Sequence, residues 1–371
     1  MQTNKKKILI TDYSVTKEIL SNSSLLALID SASSKNFNFL VVFNRDCDLN
    51  KELKSRGIKT HTCLYGNTNV IINVLYHLIL PFSYAYIILK EKPDFIYANS
   101  VMASKSGVLF KFLSNKPLII HIRNVGFFKR TKFFSLLADH FFCVSKYCLE
   151  NTLPVKYWSK ALVVYDGVDI EKFSKRANIF RQYNKSKKHI VFGMVGRIVE
   201  QKGQDYYVKL ANNLSKKYPH LIFLHCGEIP DINRSKYESY LHKDTKKLIE
   251  NKKFYWFEYS KSIEKFWAVV DIAIAPSQSD EALGRVILEA MASDIPIITT
   301  QSGGPEEIIK NNINGICIPT NNYSQLERNS INLIENKLFS EELAKNGKKT
   351  IDYNFSLRAY SKKVLSAIEA L

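Results

Sequence analysis

The sequence predicts an α/β protein built from two doubly wound parallel-sheet domains. Three observations lead there. Short apolar runs that end in polar residues alternate with helical patterns, as parallel strands do before their crossover helices. The series is interrupted once, by a polar, lysine-rich stretch from Glu171 to Lys188. A chain of 371 residues is long enough to close a core on each side of that break.

The runs of the first half are KILIT, NFLVVFN, DFIYANS, PLIIHIR, HFFCVS and ALVVYDGVD; those of the second are HIVFGMVGR, LIFLHCG, KFYWFEY, DIAIAPS, IPIITT and NGICIP. In open parallel sheets ligands bind beyond the carboxyl ends of the strands, so the residues just after each run carry the functional reading.

Composition limits the partners. With 53 Lys and Arg against 35 Asp and Glu the net charge is +18, which calls for an anionic partner: nucleic acid, a membrane surface or phosphorylated small molecules. The cysteines, at 47, 63, 143, 148, 226 and 317, show no C-x-x-C spacing and fit a reducing compartment. The opening MQTNKKKILITDYS has three apolar residues after its lysines, too few for a secretory segment, so a cytoplasmic location is expected. Two segments raise the alternative of a peripheral position on the cytoplasmic membrane face. Val70 to Leu89 is nearly free of charge, but Pro81 and several polar residues interrupt it, and a kinked or split core helix is the expectation rather than a span. FFKRTKFF sets Phe127 beside Lys129, Arg130 and Lys132, a composition suited to an anionic lipid interface; a solvated loop explains it equally well.

The densest signal is SDEALGRVILEAMASDIPIITTQSGGPEE, Ser279 to Glu307. Gly284 opens a short helix whose apolar face is Val286, Ile287, Ala290 and Met291; Asp294 and Pro296 end it before the strand IPIITT. A helix start offers unpaired N–H groups and the positive end of a dipole, an anion site. Glu289 lies about 7 Å along that helix, with Glu281 on the other side of its start. Carboxylates accept hydroxyl donors, so a diphosphate flanked by two sugars, a nucleotide-sugar, would suit the segment. The plainer reading is that acids near a helix start complement the dipole.

Other strand ends move the balance. Arg197 and Lys202 share one loop after FGMVG, a fork and a point charge suited to a diphosphate. Gly227–Glu228 and Gly303–Gly304 are turns that permit close backbone approach, the second followed by Glu306 and Glu307. In the first half, His121, Arg123 and Asn124 follow PLII.

Taken together, VGRIVEQKG, EALGRVILEA with its two glutamates in E-x₇-E spacing, SGGPEEII and VVYDGVDIEKF resemble the retaining glycosyltransferases of family 4, and the resemblance covers most of the chain. It implies the GT-B fold, two Rossmann-like domains facing a cleft: residues 1–170 for the acceptor, 171–352 for the nucleotide-sugar, and 353–371 as a helix returning to the first domain. It implies that Arg197 and Lys202 hold the donor diphosphate together with Gly227, Leu283, Gly284 and Arg285, and that Glu289 binds ribose. Glu281 would face the transferred sugar and His121 contact it from the other domain, as the catalytic pair. A UDP-sugar is implied in preference to a GDP-sugar, with no metal, no further cofactor, and a saccharide acceptor, lipid-linked, of surface-polysaccharide assembly. The departures are specific: TDYSVTKEIL lacks the glycine-rich loop usual after the first strand, Asp166 stands where Asn is usual, and Asp294 replaces a usual glycine. Asp46-Cys47-Asp48 has D-x-D spacing but follows the second strand, away from the cationic loop. An epimerase of the same fold would share the donor site, and a basic nucleic-acid-binding protein would share the charge but need none of the glycine turns.

Overall fold

Residues 5–13, 23–32, 37–63, 70–126, 137–174, 189–228, 243–258 and 262–371 are described by the computed structural model. The chain divides into two compact units, Met1–Asp166 with Tyr360–Leu371, and Gly167–Ala359.

In the first unit, seven strands form one sheet: β1 Lys6–Asp12, β2 Phe37–Phe43, β3 Lys59–Thr62, β4 Phe95–Ala98, β5 Leu118–Ile122, β6 His140–Cys143 and β7 Ala161–Val163. Its order is β3-β2-β1-β4-β5-β6-β7, with every adjacent pair parallel. In the second, β8 Ile190–Val195, β9 Leu221–Cys226, β10 Phe254–Phe257, β11 Ile272–Ala275, β12 Ile297–Thr300 and β13 Ile316–Ile318 are ordered β10-β9-β8-β11-β12-β13, again all parallel. Strand order reverses beside the first strand of each sheet, between β1 and β4 and between β8 and β11. The crevice of a doubly wound sheet opens at such switch points.

The apolar runs of the sequence became strands; β1, β4 and β5 are almost wholly buried because both of their faces are covered, while the edge strands β7 and β10 are partly exposed. β3 was not anticipated. Its residues KTHT are polar and only half-buried, since an edge strand needs no apolar face of its own. The segment expected as a kinked or split helix is one element, Val70–Glu91, with Pro81 inside it. Among the described residues no helix is long and apolar enough to cross a membrane. The lysine-rich stretch opens with a short helix, Ile170–Ser174, and the rest of it, 175–188, lies outside the described residues. All six cysteines are buried thiols outside any disulfide bond.

The last helix, Leu357–Glu369, buries Tyr360, Val364, Leu365 and Ile368 in the core of the first unit, with Ile8, Ile10, Val41 and Phe142. Leu365 is fully buried, so Leu365→Ala opens a cavity that the surrounding side chains fill incompletely. Urea denaturation should show the first unit destabilised by about 2–5 kcal/mol.

Candidate active site

The second unit gathers the candidate donor residues at the carboxyl ends of β8, β9, β11 and β12. Arg197 follows β8 and is exposed; Lys202 ends the short 3₁₀ turn Glu200–Lys202. This loop is tied down by its backbone. Gly196 N–H donates to the Cys226 carbonyl (3.0 Å), Ile198 N–H to the Glu228 carbonyl (2.8 Å), and Gln278 N–H to the Gln201 carbonyl (2.8 Å). Gln204, buried at the start of the helix Gln204–Lys217, donates from Nε2 to the Arg197 carbonyl (2.8 Å) and lies 3.5 Å from His225 Nε2. Burial pulls the His225 pKa down to about 3, so the ring is neutral at physiological pH and Nε2 serves as the acceptor.

The glycines expected to admit a ligand closely are approached by the chain itself. A Cβ on Gly227 would stand 1.8 Å from the Gly196 carbonyl oxygen, and one on Gly304 would stand 2.4 Å from the Ala282 carbonyl oxygen. The second contact belongs to a short parallel bridge in which Glu281 N–H donates to Ser302 (2.8 Å) and Gly304 N–H donates to Glu281 (2.9 Å). The E-x₇-E segment and the glycine turn after β12 are thereby one unit.

Within this frame Lys202 and Glu281, 79 residues apart, form an ion pair, and Ser277 Oγ donates to the same carboxylate oxygen at 3.4 Å. Gly284 caps the helix Arg285–Ala292, and Leu283 is buried, leaving that position to act through its backbone. Glu289, one turn into the helix, is 7% exposed; it accepts from Trp267 Nε1 (3.3 Å), with Arg285 Nη2 at 3.9 Å. Burial raises its carboxyl pKa, while Arg285, the Trp267 N–H and Lys172 oppose the rise. Asp294 adopts the left-handed conformation (φ 60°) just past the helix, the place where glycine is usual.

In the first unit the structure corrects the sequence reading. β5 runs through Ile122, so His121 lies inside the strand with its ring fully buried, and Arg123 takes the position at the strand end. Arg123 pairs with Asp166 and donates to the Asn99 carbonyl (3.1 Å), Asn99 Oδ1 (3.3 Å), Tyr360 Oη (3.2 Å) and His121 Nδ1 (3.2 Å). Tyr97 Oη is 2.5 Å from the same His121 nitrogen. Burial and the Arg123 charge both hold His121 well below its ordinary pKa. Burial works against the Arg123 charge as well, yet Asp166, together with Tyr360 and Tyr97, more than offsets this and raises the guanidinium pKa. The aspartate in place of asparagine is thus the counter-charge of a half-buried arginine. Asp46 accepts a hydrogen bond from Asn50 (2.9 Å), and Asp48 opens the helix Asp48–Ser55. Phe127, Lys129, Arg130 and Lys132 lie outside the described residues.

Sequence reasoning missed Gln204, His225, Trp267, Tyr97 and Tyr360. Gln204 directly follows the cationic loop, which is a usable signal. Trp267 meets Glu289 only through the packing of two helices, and no spacing announces it.

The second unit thus carries a cationic loop and two carboxylates at the switch point of a doubly wound sheet. Residues 175–350 match the family described as glycosyl transferases group 1. The chain is 26% identical over 222 residues to spore coat protein SA of Bacillus subtilis, covering 57% of this chain and 59% of that protein. It is 24% identical over 295 residues to the UDP-Gal:alpha-D-GlcNAc-diphosphoundecaprenol alpha-1,3-galactosyltransferase of Escherichia coli, covering 72% and 73%. The structure superposes on Anabaena HepE in complex with UDP-glucose with a TM-score of 0.80, at 21% identity, over 98% of this chain and 100% of that one. The fold is therefore GT-B.

Two buried charges give opposite expectations. Asp166→Asn removes the countercharge of Arg123 and should cost about 3–5 kcal/mol, while Arg123→Leu in the same chain should recover part of the loss. Calorimetric melting of the two variants measures both. The raised pKa of Glu289 means that its stabilisation is complete below the ordinary carboxylate range and is lost as pH climbs through the raised value. Glu289→Gln should accordingly melt no lower than the parent at pH 8, and its advantage should fade toward pH 4.

Proposed function

We propose that the protein transfers a hexose or N-acetylhexosamine from a UDP-sugar to a saccharide acceptor, with retention of anomeric configuration and without a metal. The observation that carries this reading is the meeting of Lys202, Glu281 and the start of the helix Arg285–Ala292 in one unit, with Glu289 buried a turn further on. The family match of this segment and the UDP-glucose of HepE support the donor class. The lipid-linked acceptor of the Escherichia coli relative supports a diphospholipid-borne saccharide as acceptor.

The chemistry follows from charge. As the anomeric carbon–oxygen bond breaks, negative charge builds on the leaving diphosphate. Arg197, Lys202 and the helix N–H groups strengthen their hold there, which lowers the barrier. Glu289 takes the ribose hydroxyls. Glu281, already oriented by Lys202 and Ser277, faces the sugar. The acceptor attacks from the face the diphosphate leaves, and a diphosphate oxygen accepts its proton. His121 enters as a support for Arg123, because its ring has no exposed surface.

Calorimetric titration of UDP-sugars should show Glu289→Ala binding more than tenfold weaker, since charge-assisted hydrogen bonds contribute about 1.5–3 kcal/mol each. Unchanged affinity would remove Glu289 from the donor site. Product analysis with and without acceptor separates transfer from epimerisation. A chelated enzyme that retains its rate supports charge supplied by Arg197 and Lys202, whereas a dead one revived by Mg²⁺ or Mn²⁺ overturns the metal-free mechanism.

A further inference from the structure

The helix Val70–Glu91 turns four large apolar side chains to solvent: Ile79 is 57% exposed, Phe82 78%, Tyr86 58% and Leu89 75%. Spacings of three, four and three residues place them on one face. The opposite face does the packing. Tyr84 stacks on Phe110 of the helix Ser104–Ser114 with ring centroids 4.1 Å apart, and its hydroxyl meets Ser106 Oγ at 2.9 Å. Ile87 is buried beside it in the sequence of that face. The outward residues therefore contribute little to the core, and a helix on the surface of a soluble unit would ordinarily carry polar groups there.

The cations beside this face come from the carboxyl end of the helix. From Val70 to Asp94 the sequence has two lysines, Lys90 and Lys92, and two acids, Glu91 and Asp94. Neither acid belongs to the face: Glu91 is buried against Lys7 and Lys59, and Asp94 accepts from the Lys7 N–H at 2.8 Å. Lys90 donates to the Tyr86 hydroxyl at 3.0 Å, its ammonium 5.2 Å from the ring centroid, so cation and aromatic stand together. Lys92 and Lys105 are exposed nearby in the chain, and the helix Ser104–Ser114 exposes Phe112 and Leu113.

We propose that this helix rests on an anionic lipid bilayer, with Phe82, Tyr86 and Leu89 entering the interface and Lys90 and Lys92 meeting headgroup phosphates. Aromatic and aliphatic residues flanked by lysines, with no carboxylate on the face, match the chemistry of such a surface. An interface between two protein surfaces would instead place acids opposite the lysines, and two copies of this face would set like charges against each other. The proposal gives a lipid-linked acceptor a reason to be met at the membrane, but vesicle binding needs neither donor nor turnover. Its failure would leave the transfer reaction standing.

The full-length protein is sedimented with vesicles of phosphatidylcholine alone and of phosphatidylcholine with an equal part of phosphatidylglycerol. Binding should be confined largely to the anionic vesicles and should weaken as salt rises. Phe82→Ser with Leu89→Ser, at positions too exposed to disturb the core, should lower the partition coefficient about a hundredfold at an unchanged melting temperature. Lys90→Glu with Lys92→Glu keeps the apolar face and should lower it at least about tenfold on anionic vesicles alone. Absent binding by the parent protein, or equal binding by the Phe82/Leu89 variant, overturns the proposal. So does a lipid-free dimer, seen by light scattering, that the same variant converts to monomer.

Discussion

Backbone laid on backbone is the constraint from which the candidate donor site follows. At the carboxyl ends of β8 and β9 the Gly196 carbonyl occupies the space a Gly227 side chain would need, and beyond β11 and β12 the Ala282 carbonyl does the same at Gly304. Loops pressed this closely are held by their own N–H and C=O groups, as the bonds from Gly196, Ile198, Gln278 and Glu281 show. Side chains are then released from holding the loops and can converge on one another. Lys202 does so from the loop after β8, Ser277 and Glu281 from the loop after β11.

The two units handle buried charge differently, and the difference separates architecture from chemistry. Arg123 is compensated: a carboxylate, two oxygens of Asn99 and a tyrosine hydroxyl surround it, as a cation half withdrawn from water requires. Its partner Tyr360 comes from the last helix, so the network also fastens the returning chain to the ends of β4 and β5. Glu289 is under-compensated. One indole N–H and a guanidinium at 3.9 Å leave burial free to raise its pKa. A carboxylate that the folded chain satisfies only in part retains acceptor capacity for other donors, and such positions concentrate in functional sites.

Apolar faces show a similar division. From Ile79 to Leu89 the inward Tyr84 makes the stacking and hydrogen-bonded contacts of a core, while Ile79, Phe82, Tyr86 and Leu89 are exposed. Hydropathy averaged along the segment reports both faces together. That is why the sequence suggests a core helix, while the coordinates show a helix apolar on its covered and uncovered sides alike.

Twelve of the thirteen strands were legible from apolar runs alone; most are covered on both faces and must be apolar at consecutive positions. The helix start at Gly284 and the spacing of Glu281 and Glu289 were legible for an equally local reason, the 1.5 Å rise of a helix. β3 escaped because an edge position puts no such demand on KTHT, and the end of β5 was misjudged because His121 is a polar residue in a fully buried position. Burial pattern and helical spacing were thus determined by the sequence by itself. Only the tertiary structure decided that Lys202 meets Glu281 across 79 residues, that Asp166 neutralises Arg123, and that Tyr360 reaches Arg123 across 237. Local periodicity records whether a side chain is buried; which groups it is buried with depends on strand order and chain return, which no short window of sequence contains.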